Sequence, residues 1–466
     1  MTPIPGPIVL LALPLLAASA TYLVRRWAIL AAFLSSATTG VLAILCLRLP
    51  LDRSAFVLGR EVAFGRPVVI LGRNLILDPA SQAWLAFIFA LATLFYLIAW
   101  RVSQGRSFFP FSLVILSLYA LIALLQTFAL AVIVFAISTT LAVFMIQGGQ
   151  RSSVRGAQRY LLVTLLAVPF FLAAAWFMDQ SLLHPDNAEM AYRALLPAAL
   201  GFGLLLAIFP FGTWMPALAA DAPPIVTAFI FTTGQAMALF LALAFLRDIP
   251  LALNHPATPA AIQLAGLVMA ASGGVMASVQ RDFGRLFGYA ALVSLGVLLL
   301  AFGTGGSQGL TLTLLHMINR AVSITLLAAA LAILRHQATT DGFAGLGGVA
   351  RRLPIATVGL MLGGLALAGF PLTAGFATDW AVYRAVSAEP WTWTLILLAS
   401  SAGIAIGLLR GLNAMLGTDP RDDVARQPVI ASLMVLALAA VVIILGFYPQ
   451  LFLKPVQSAV QAFSLF

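Results

Sequence analysis

The sequence predicts an all-α integral membrane protein with about fourteen transmembrane helices, and two observations support this prediction. Hydrophobic residues make up 62% of the 466-residue chain and charged residues only 9%, whereas soluble domains contain about one quarter charged residues. Apolar runs of the roughly 20 residues that a helix needs to cross a membrane recur along nearly the whole chain. Barrel strands would be shorter and would alternate apolar with polar residues, so helices are expected.

The apolar runs give the expected helices in order. They fall near residues 6–24, 27–48, 79–100, 107–124, 126–147, 158–178, 194–213, 222–246, 260–279, 286–304, 308–334, 354–387, 391–413 and 429–451. No hydrophilic stretch longer than about 30 residues separates these runs, as a second domain would require. Residues 1–466 are therefore expected to form a single membrane domain.

Three segments depart from simple apolar helix. Residues 49–78 alternate apolar residues with Gly and Arg, which predicts a short β-hairpin on the outer surface. The stretch "LAIFPFGTWMPALAADAPPIVTAF" (206–229) and the stretch "LALAGFPLTAGFATDW" (365–380) carry Pro and Gly inside apolar runs. Paired interruptions of this kind indicate discontinuous helices in two inverted repeats with a pathway near the midplane. The alternative is that Gly and Pro are simply frequent in membrane helices.

The formal net charge of +10 does not indicate nucleic-acid binding, because the arginines are spread over many loops and form no single stripe. Membrane orientation accounts for them better. More arginines fall in the inside loops if the N-terminus is outside, so both termini are predicted to face outward. The N-terminus has no short charged region or cleavage site typical of a removable signal peptide, so the first helix is expected to stay.

The sequence offers little to hold a cofactor. Its one cysteine, Cys46, lies within an apolar run, which excludes a disulfide framework and a cysteine-ligated cluster. The four histidines are scattered, and no phosphate-binding loop or H-E-x-x-H motif is present. We therefore expect no bound metal and no cofactor in this chain.

Four motifs, in order along the chain, resemble the antiporter-like membrane subunits of respiratory complex I and of the related Mrp antiporters and membrane-bound hydrogenases. "PFGTWMPALAADAP" (210–223) is similar to P-F-H-x-W-L-P-D-A-H-x-x-A-P, and "DFGRLFGYAALVSLG" (282–296) to D-x-K-R-x-x-A-Y-S-S-x-S-H-x-G. "LLHMINRAVSITLL" (314–327) resembles the H-M-x-x-H-x-x-x-K/S helix. The 365–380 stretch resembles L-A-x-x-G-x-P-x-x-x-x-F-x-x-E/K-F/W, and the length is nearest to the M and N type subunits.

The resemblance implies a proton-translocating membrane-arm subunit of the inner (plasma) membrane, whose partners are the other membrane-arm subunits and lipids, with no nucleic acid. FMN and iron–sulfur clusters would lie in other subunits. In this family a glutamate on the fifth helix and lysines on the seventh and eighth helices belong to a buried relay. A buried lysine suits this role because burial and a nearby carboxylate shift its pKa in opposite directions, so that it exchanges protons near neutral pH.

Most of the relay residues that the resemblance implies are absent from this sequence. The seventh-helix lysine falls on Leu205, and the eighth-helix lysine on Gln235 or Ala236, depending on the alignment register. The fifth-helix glutamate falls near Ala136, and the lysine of the D-x-K-R motif on Gly284. The sole lysine of the sequence is Lys454, and the three glutamates (Glu61, Glu189 and Glu389) lie in predicted loops.

The remaining polar residues of the apolar runs are the candidate proton-pathway residues. Asp379 and Arg320 occupy positions of the family pathway, and burying either one alone is costly, so we expect them to pair or to share waters. The alternative is that Arg320 extends to a surface and Asp379 caps a half-helix. His316, Gln235 and Ser323 are further candidates, because histidine titrates near neutrality and small polar residues can hydrate a cavity, although each can serve helix packing alone.

Three hypotheses follow. The leading one is a degenerate subunit of a complex I type assembly, either a proton-inactive spacer or a half-channel that ends at Asp379. The second is an active proton or cation translocator that uses Asp379, Arg320, His316 and waters. The third is a membrane anchor for a hydrogenase-like or inorganic-carbon uptake complex.

Overall fold

The computed structural model describes most of the chain. The described residues are 4–57, 60–70, 72–102, 105–148, 154–183, 188–249, 257–386, 391–417 and 428–463. Glu389 lies outside them.

Helices dominate the described part of the chain. In order they are α1 (Gly6–Leu23), α2 (Ala28–Arg48), α3 (Pro79–Ala99), α4 (Phe108–Leu124), α5 (Phe128–Ile146), α6 (Arg155–Leu183), α7 (Ala188–Leu205), α8 (Trp214–Asp221), α9 (Pro224–Phe229), α10 (Gln235–Asp248), α11 (Ala257–Ser278), α12 (Phe283–Gly303), α13 (Gly306–Ala338), α14 (Val349–Arg352), α15 (Pro354–Leu367), α16 (Ala374–Val386), α17 (Thr392–Leu416), α18 (Val429–Phe447) and α19 (Leu453–Ala462). The predicted all-α membrane fold is confirmed.

Eleven of the described helical segments are long and apolar enough to cross a membrane, with α9 and α10 counted as one continuous segment. Two further apolar helices, α4 and α15, are shorter than a full span. The chain is thus a multi-span integral membrane protein. The count of fourteen spans and the inverted-repeat symmetry stay predictions.

The 49–78 segment contains two small hairpins where one was predicted. Ser54–Val57 (β2) pairs antiparallel with Arg60–Ala63 (β3), which also pairs in parallel with Ile4–Pro5 (β1). Val68–Ile70 (β4) pairs antiparallel with Arg73–Leu75 (β5). Two of the glutamates expected in loops lie in regular structure, Glu61 in β3 and Glu189 in the first turn of α7.

The first predicted interruption, near residues 206–229, is confirmed. Helix α7 ends at Leu205, and the chain then turns through Ala207, whose φ is 60°, before the short helix α8. Prolines then separate α8 from α9, because a proline at the start of a helix supplies no N–H to the turn before it. A π-helical segment, Ile230–Gly234, joins α9 to α10.

The second predicted interruption, near residues 365–380, is also confirmed. Helix α15 ends at Leu367 and α16 begins at Ala374. Between them Gly369 has a φ of +68° and Leu372 a φ of 69°. Glycine adopts this left-handed conformation without steric cost, so Gly369 lets the chain turn back toward the second half-helix.

The interior of the protein is formed by the helices next to these two interruptions. In the most apolar 18-residue stretch of α9–α10, and likewise of α12, 94% is buried inside the protein, and in that of α13 89% is buried. The corresponding value for α1 is 33%. Polar side chains on α10, α12 and α13 are therefore enclosed by protein, whereas the outer helices expose leucines and other large apolar residues.

Candidate functional site

The guanidinium group of Arg320 lies at the centre of the protein, on the middle of α13. Its Nη1 donates a hydrogen bond to the carbonyl oxygen of Phe231 at 2.6 Å. Its Nη2 donates to Gln235 Oε1 at 2.6 Å and to the carbonyl oxygen of Ala291 at 3.1 Å. Arg320 is 4% exposed, and its hydrogen bonds join α13 to α12 and to the π-helical junction before α10.

The hydrogen-bond partners of Arg320 in the described residues are all neutral. Its Nε has no hydrogen-bond partner there. A cavity of about 10 Å³, lined in part by Arg320, Gln235 and Thr232, touches the group, and a single water needs about this much space. The centre of the protein thus holds a fixed positive charge beside room for about one water.

His316 and Asp379 form a second buried group one turn before Arg320. His316 Nδ1 lies 3.0 Å from Asp379 Oδ1. On the other side of the ring, Nε2 lies 2.9 Å from the carbonyl oxygen of Ser294 and 3.1 Å from its hydroxyl. His316 is 2% and Asp379 3% exposed. The imidazole therefore bridges α12 and the half-helix α16.

This arrangement requires one proton between the histidine and the aspartate. A carbonyl oxygen only accepts hydrogen bonds, so Nε2 of His316 is assigned as the donor to Ser294. Nδ1 then faces Asp379 Oδ1, and two acceptors repel each other at 3.0 Å unless one of them carries a proton. The angle falls outside that of a hydrogen bond, so Oδ1 has no aligned partner among the described residues. The pair can hold a proton on either residue.

A second arginine of α13, Arg335, holds the C-terminal end of the half-helix α8. Its Nη1 donates to the carbonyl oxygen of Ala222 at 2.9 Å and its Nη2 to that of Ala219 at 2.8 Å. Its Nε and Nη2 lie 2.9 and 2.6 Å from Asp341 Oδ2. The last carbonyl groups of a helix have no partners within it, and a cation there is favourable.

Arg320 and Arg335 each lie beside a position where a lysine was predicted. They lie about four turns apart along α13 and so on nearly the same face. Arg320 bonds to Gln235, and Arg335 lies so close to Gly284 that a side-chain carbon there would collide with its Nη2. The resemblance predicts a lysine at Gly284, and one at Gln235 in one of the two alignment registers. Arginine supplies the positive charge but stays protonated, so it cannot exchange a proton as lysine does.

The other replaced relay positions are apolar. Leu205, the last residue of α7, is 5% exposed and Ala236 is 2% exposed, and Ala136 is partly buried in α5. Ser323 is fully buried, but its hydroxyl donates to the carbonyl oxygen of Asn319 within α13. It is therefore not part of the group formed by His316, Asp379, Arg320 and Gln235.

Direct pairing of Asp379 with Arg320, one of the two predicted arrangements, is wrong, and the sharing of waters between them stays a prediction. Asp379 pairs with His316, and Arg320 bonds to carbonyl and amide oxygens. Both parts of the alternative are wrong as well. Arg320 is buried and does not extend to a surface, and Asp379 lies in the second turn of α16, beyond the position of a helix cap. The error arose because α13 brings His316, one turn earlier, next to α16.

Sequence reasoning did not find several partners of the site. Ser294 binds His316, and the carbonyl groups of Ala291 and Phe231 bind Arg320. Thr378 lies 3.4 Å from His316 Nδ1. Ser294 falls within the quoted 282–296 motif, so its motif position was an available signal. The backbone carbonyls gave none, because every residue has one.

The fold and the site together define a multi-pass membrane protein of the transporter type, with broken helices and charged groups enclosed at their junctions. Over residues 82–406 the chain matches the family described as NADH:quinone oxidoreductase/Mrp antiporter, TM. This match covers more than half of the chain, so the chain belongs to that family.

Individual relatives agree with this assignment. The chain is 27% identical over 391 residues to the NADH-quinone oxidoreductase subunit N of Desulforudis audaxviator, and the aligned region covers 77% of this chain and 76% of the relative. The fold of this chain is similar to that of a chain of respiratory complex I from Thermus thermophilus with bound NADH, at 19% identity, a TM-score of 0.78 and 98% coverage of both chains. A chain of the Mrp complex from a Dietzia species gives a TM-score of 0.81 at 16% identity, covering 98% of this chain and 97% of that one.

Proposed function

We propose that this chain is a membrane-arm subunit of a complex I type assembly in which the proton relay is interrupted at the centre. It lies in the plasma membrane with both termini outside, beside other membrane-arm subunits that carry out complete translocation. FMN and iron–sulfur clusters are expected in other subunits of the assembly. Within the arm the chain acts as a spacer that retains one local proton-exchange site at His316 and Asp379.

The arrangement of Arg320 is the observation that carries this proposal. A relay residue must take up and release a proton, and the guanidinium group does neither at physiological pH. Hydrogen bonds to Phe231, Gln235 and Ala291 hold it in place. A fixed positive charge also repels cations and protons that approach it, as charged barriers do in selective pores. Arg320 therefore replaces the missing lysine charge but not its chemistry.

The surroundings of Arg320 support the same conclusion. Ala236 lines the cavity of about 10 Å³ beside Arg320, which has room for about one water. Leu205, at the end of α7, is also buried and apolar. A proton wire needs a chain of waters or titrating groups. Leu206, Ala236 and Leu239 are apolar residues of the cavity lining and offer a water no hydrogen-bonding side chain on their side.

The His316–Asp379 pair is the part of the site that can still exchange a proton. Its proton moves between Nδ1 and Oδ1 without any change in net charge, so the pair tolerates burial. It lies one turn along α13 from Arg320, whose fixed charge opposes further transfer toward the centre. The pair therefore ends a half-channel.

A structure of the assembled complex in which ordered waters are resolved tests the proposal. We expect waters to reach the His316–Asp379 pair from one side and to stop before Leu205. A neighbouring antiporter-like subunit of the same complex that carries the lysines serves as the internal control and should show a continuous hydrated axis. Waters running from Asp379 past Arg320 and Leu205 would instead support the active translocator.

The proteins that co-purify with the chain test the third hypothesis. Flavin and iron–sulfur subunits of an NADH-oxidising or related oxidoreductase fit the proposal. A hydrogenase-like or inorganic-carbon uptake protein in their place would make the chain a membrane anchor of that assembly.

A further inference from the structure

An open cavity of about 570 Å³ lies beside the half-helix α8, away from Arg320 and His316. Its floor is formed by α8 and the turn before it, and α8 contributes Pro216, Ala217 and Asp221. One wall is the start of α6, and the opposite wall is formed by the end of α11 and the start of α12. The cavity exists because α8 has only eight residues and packs between α6 and α12 without filling the space between them.

Three arginines line this cavity from opposite walls. Arg155 and Arg159 lie on the first turns of α6, and Arg285 lies on the first turn of α12. Arg159 and Arg285 both lie close enough to Tyr289 on α12 to act electrostatically on its phenol group. The guanidinium groups of Arg159 and Arg285 thus lie near one another, and Arg155 lines the same cavity.

The charges of the cavity favour an anion. Asp221 is the carboxylate of the lining, and its Oδ2 accepts a hydrogen bond from the backbone N–H of Gly156 at 2.8 Å. Outside the lining, Asp282 forms an ion pair with Arg285, whose Nε is 3.8 Å from the carboxylate and whose side chain is 61% exposed. The three arginines exceed these two negative charges. Gln280 and Tyr289 add neutral polar groups to the same lining.

Apolar surface continues from the cavity along both walls. On α6, Leu162 and Leu166 follow Arg155 and Arg159 at helical spacing on the same face, and they are 69% and 53% exposed. On α11, Met276 is 41% exposed. A ligand with a charged end and long apolar chains would contact both regions.

We propose that this cavity binds the phosphate headgroup of an anionic phospholipid. Arginine forks bind phosphate oxygens with two parallel hydrogen bonds, and basic pockets between membrane helices are the usual sites for acidic lipid headgroups. The acyl chains lie along Leu162 and Leu166. Because the floor is the half-helix that α13 holds through Arg335, the lipid braces the first interruption of the fold.

The test compares two matched triple variants of the full chain in detergent. Arg155→Gln, Arg159→Gln and Arg285→Gln together remove the three arginines of the cavity. The control triple variant makes the same change at three arginines outside the cavity lining, Arg26, Arg53 and Arg351. The readouts are retained phospholipid by native mass spectrometry and the shift in thermal unfolding on adding phosphatidylglycerol, phosphatidylcholine or inorganic phosphate.

We expect phosphatidylglycerol to bind the wild type and the control triple variant alike, and the cavity triple variant at least about tenfold more weakly, because the three positive charges that attract the phosphate are gone. Equal binding by the two triple variants would overturn the site. Inorganic phosphate binding as strongly as the lipid would overturn the lipid assignment. If the cavity triple variant does not fold, Arg159→Gln alone and the lysine triple variant, which keeps the charge, are compared in the same way; unchanged binding by Arg159→Gln would count against the proposal.

Discussion

The shared proton of the His316–Asp379 pair makes a quantitative prediction for Asp379→Asn. An asparagine amide has the size of the carboxyl group and carries its own N–H donors. After a small rotation from the carboxyl position, 3.0 Å from Nδ1 of His316, the amide can donate to Nδ1 while Nε2 continues to donate to Ser294. The variant therefore keeps the contact in a neutral form and removes only the exchangeable proton.

The expected change in the free energy of unfolding follows from this contact. The amide keeps a neutral polar contact with Nδ1, so Asp379→Asn should cost about 1 kcal/mol or less. Asp379→Ala leaves Nδ1 of a histidine that is 2% exposed with only its long 3.4 Å contact to Thr378, which costs about 1 to 3 kcal/mol before any cavity is counted. Had the pair been a fixed ion pair, Asp379→Asn would leave a buried imidazolium without a counterion and cost about 3 to 5 kcal/mol.

Thermal unfolding of the purified chain and its yield in the assembled complex distinguish these cases. We expect Asp379→Asn to stay close to the wild type and Asp379→Ala to fall well below it. Thr325→Ala serves as the control, because Thr325 is buried on α13, the helix that carries His316, and its hydroxyl donates to the carbonyl oxygen of Ala321 within that helix. Asp379→Asn as damaging as Asp379→Ala would refute the shared proton and make the pair a permanent ion pair.

Three further predictions concern other parts of the site. Gly284→Ala should lower the free energy of unfolding by about 1 to 3 kcal/mol, because the new side-chain carbon collides with the Arg335 side chain. In the same assay the control Gly40→Ala should change it by no more than about 1 kcal/mol, because the nearest atom to the new carbon is 3.7 Å away. Leu205→Ala should cost about 2 to 5 kcal/mol and lower assembly yield with little effect on proton stoichiometry, and normal assembly with less pumping would contradict this. Burial raises the pKa of Asp282, which caps the start of α12, so the free energy of unfolding should fall as pH rises from about 4. Asp282→Asn should remove this pH dependence. A pH profile that the substitution leaves unchanged would count against the role of Asp282.

Much of the fold could be predicted from the sequence, because bilayer thickness fixes helix length and Pro or Gly interrupts the backbone ladder. The breaks at 206–229 and 365–380 and the strand pairing in 49–78 all followed from residue type. The division of that segment into two hairpins did not, since each pairing depends on contacts that a pattern of alternation does not specify. The pairing of β1 with β3 joins residues distant in sequence and left no local signal.

The residues of the site were predicted better than their contacts. His316, Arg320, Gln235 and Asp379 were identified because a polar residue in an apolar run has few uses. Which of them touch depends on how α13 is oriented about its axis between α12 and α16. Residues one turn apart lie on the same face of a helix, so the sequence pattern does not indicate which of them contacts a given neighbour. The role of Arg335 was missed because a cation near a helix end resembles any interfacial charge.

The proton-to-electron ratio of the assembled complex tests the central claim most directly. The variant combines Arg320→Gln, His316→Gln and Asp379→Asn, which removes the charged and titrating groups of the central site, and it is compared with the wild type and with Thr325→Ala at equal assembly. We expect the same ratio in all three, because the interrupted axis carries no protons across the membrane. A lower ratio in the fully assembled triple variant would contradict it and show that this subunit moves protons.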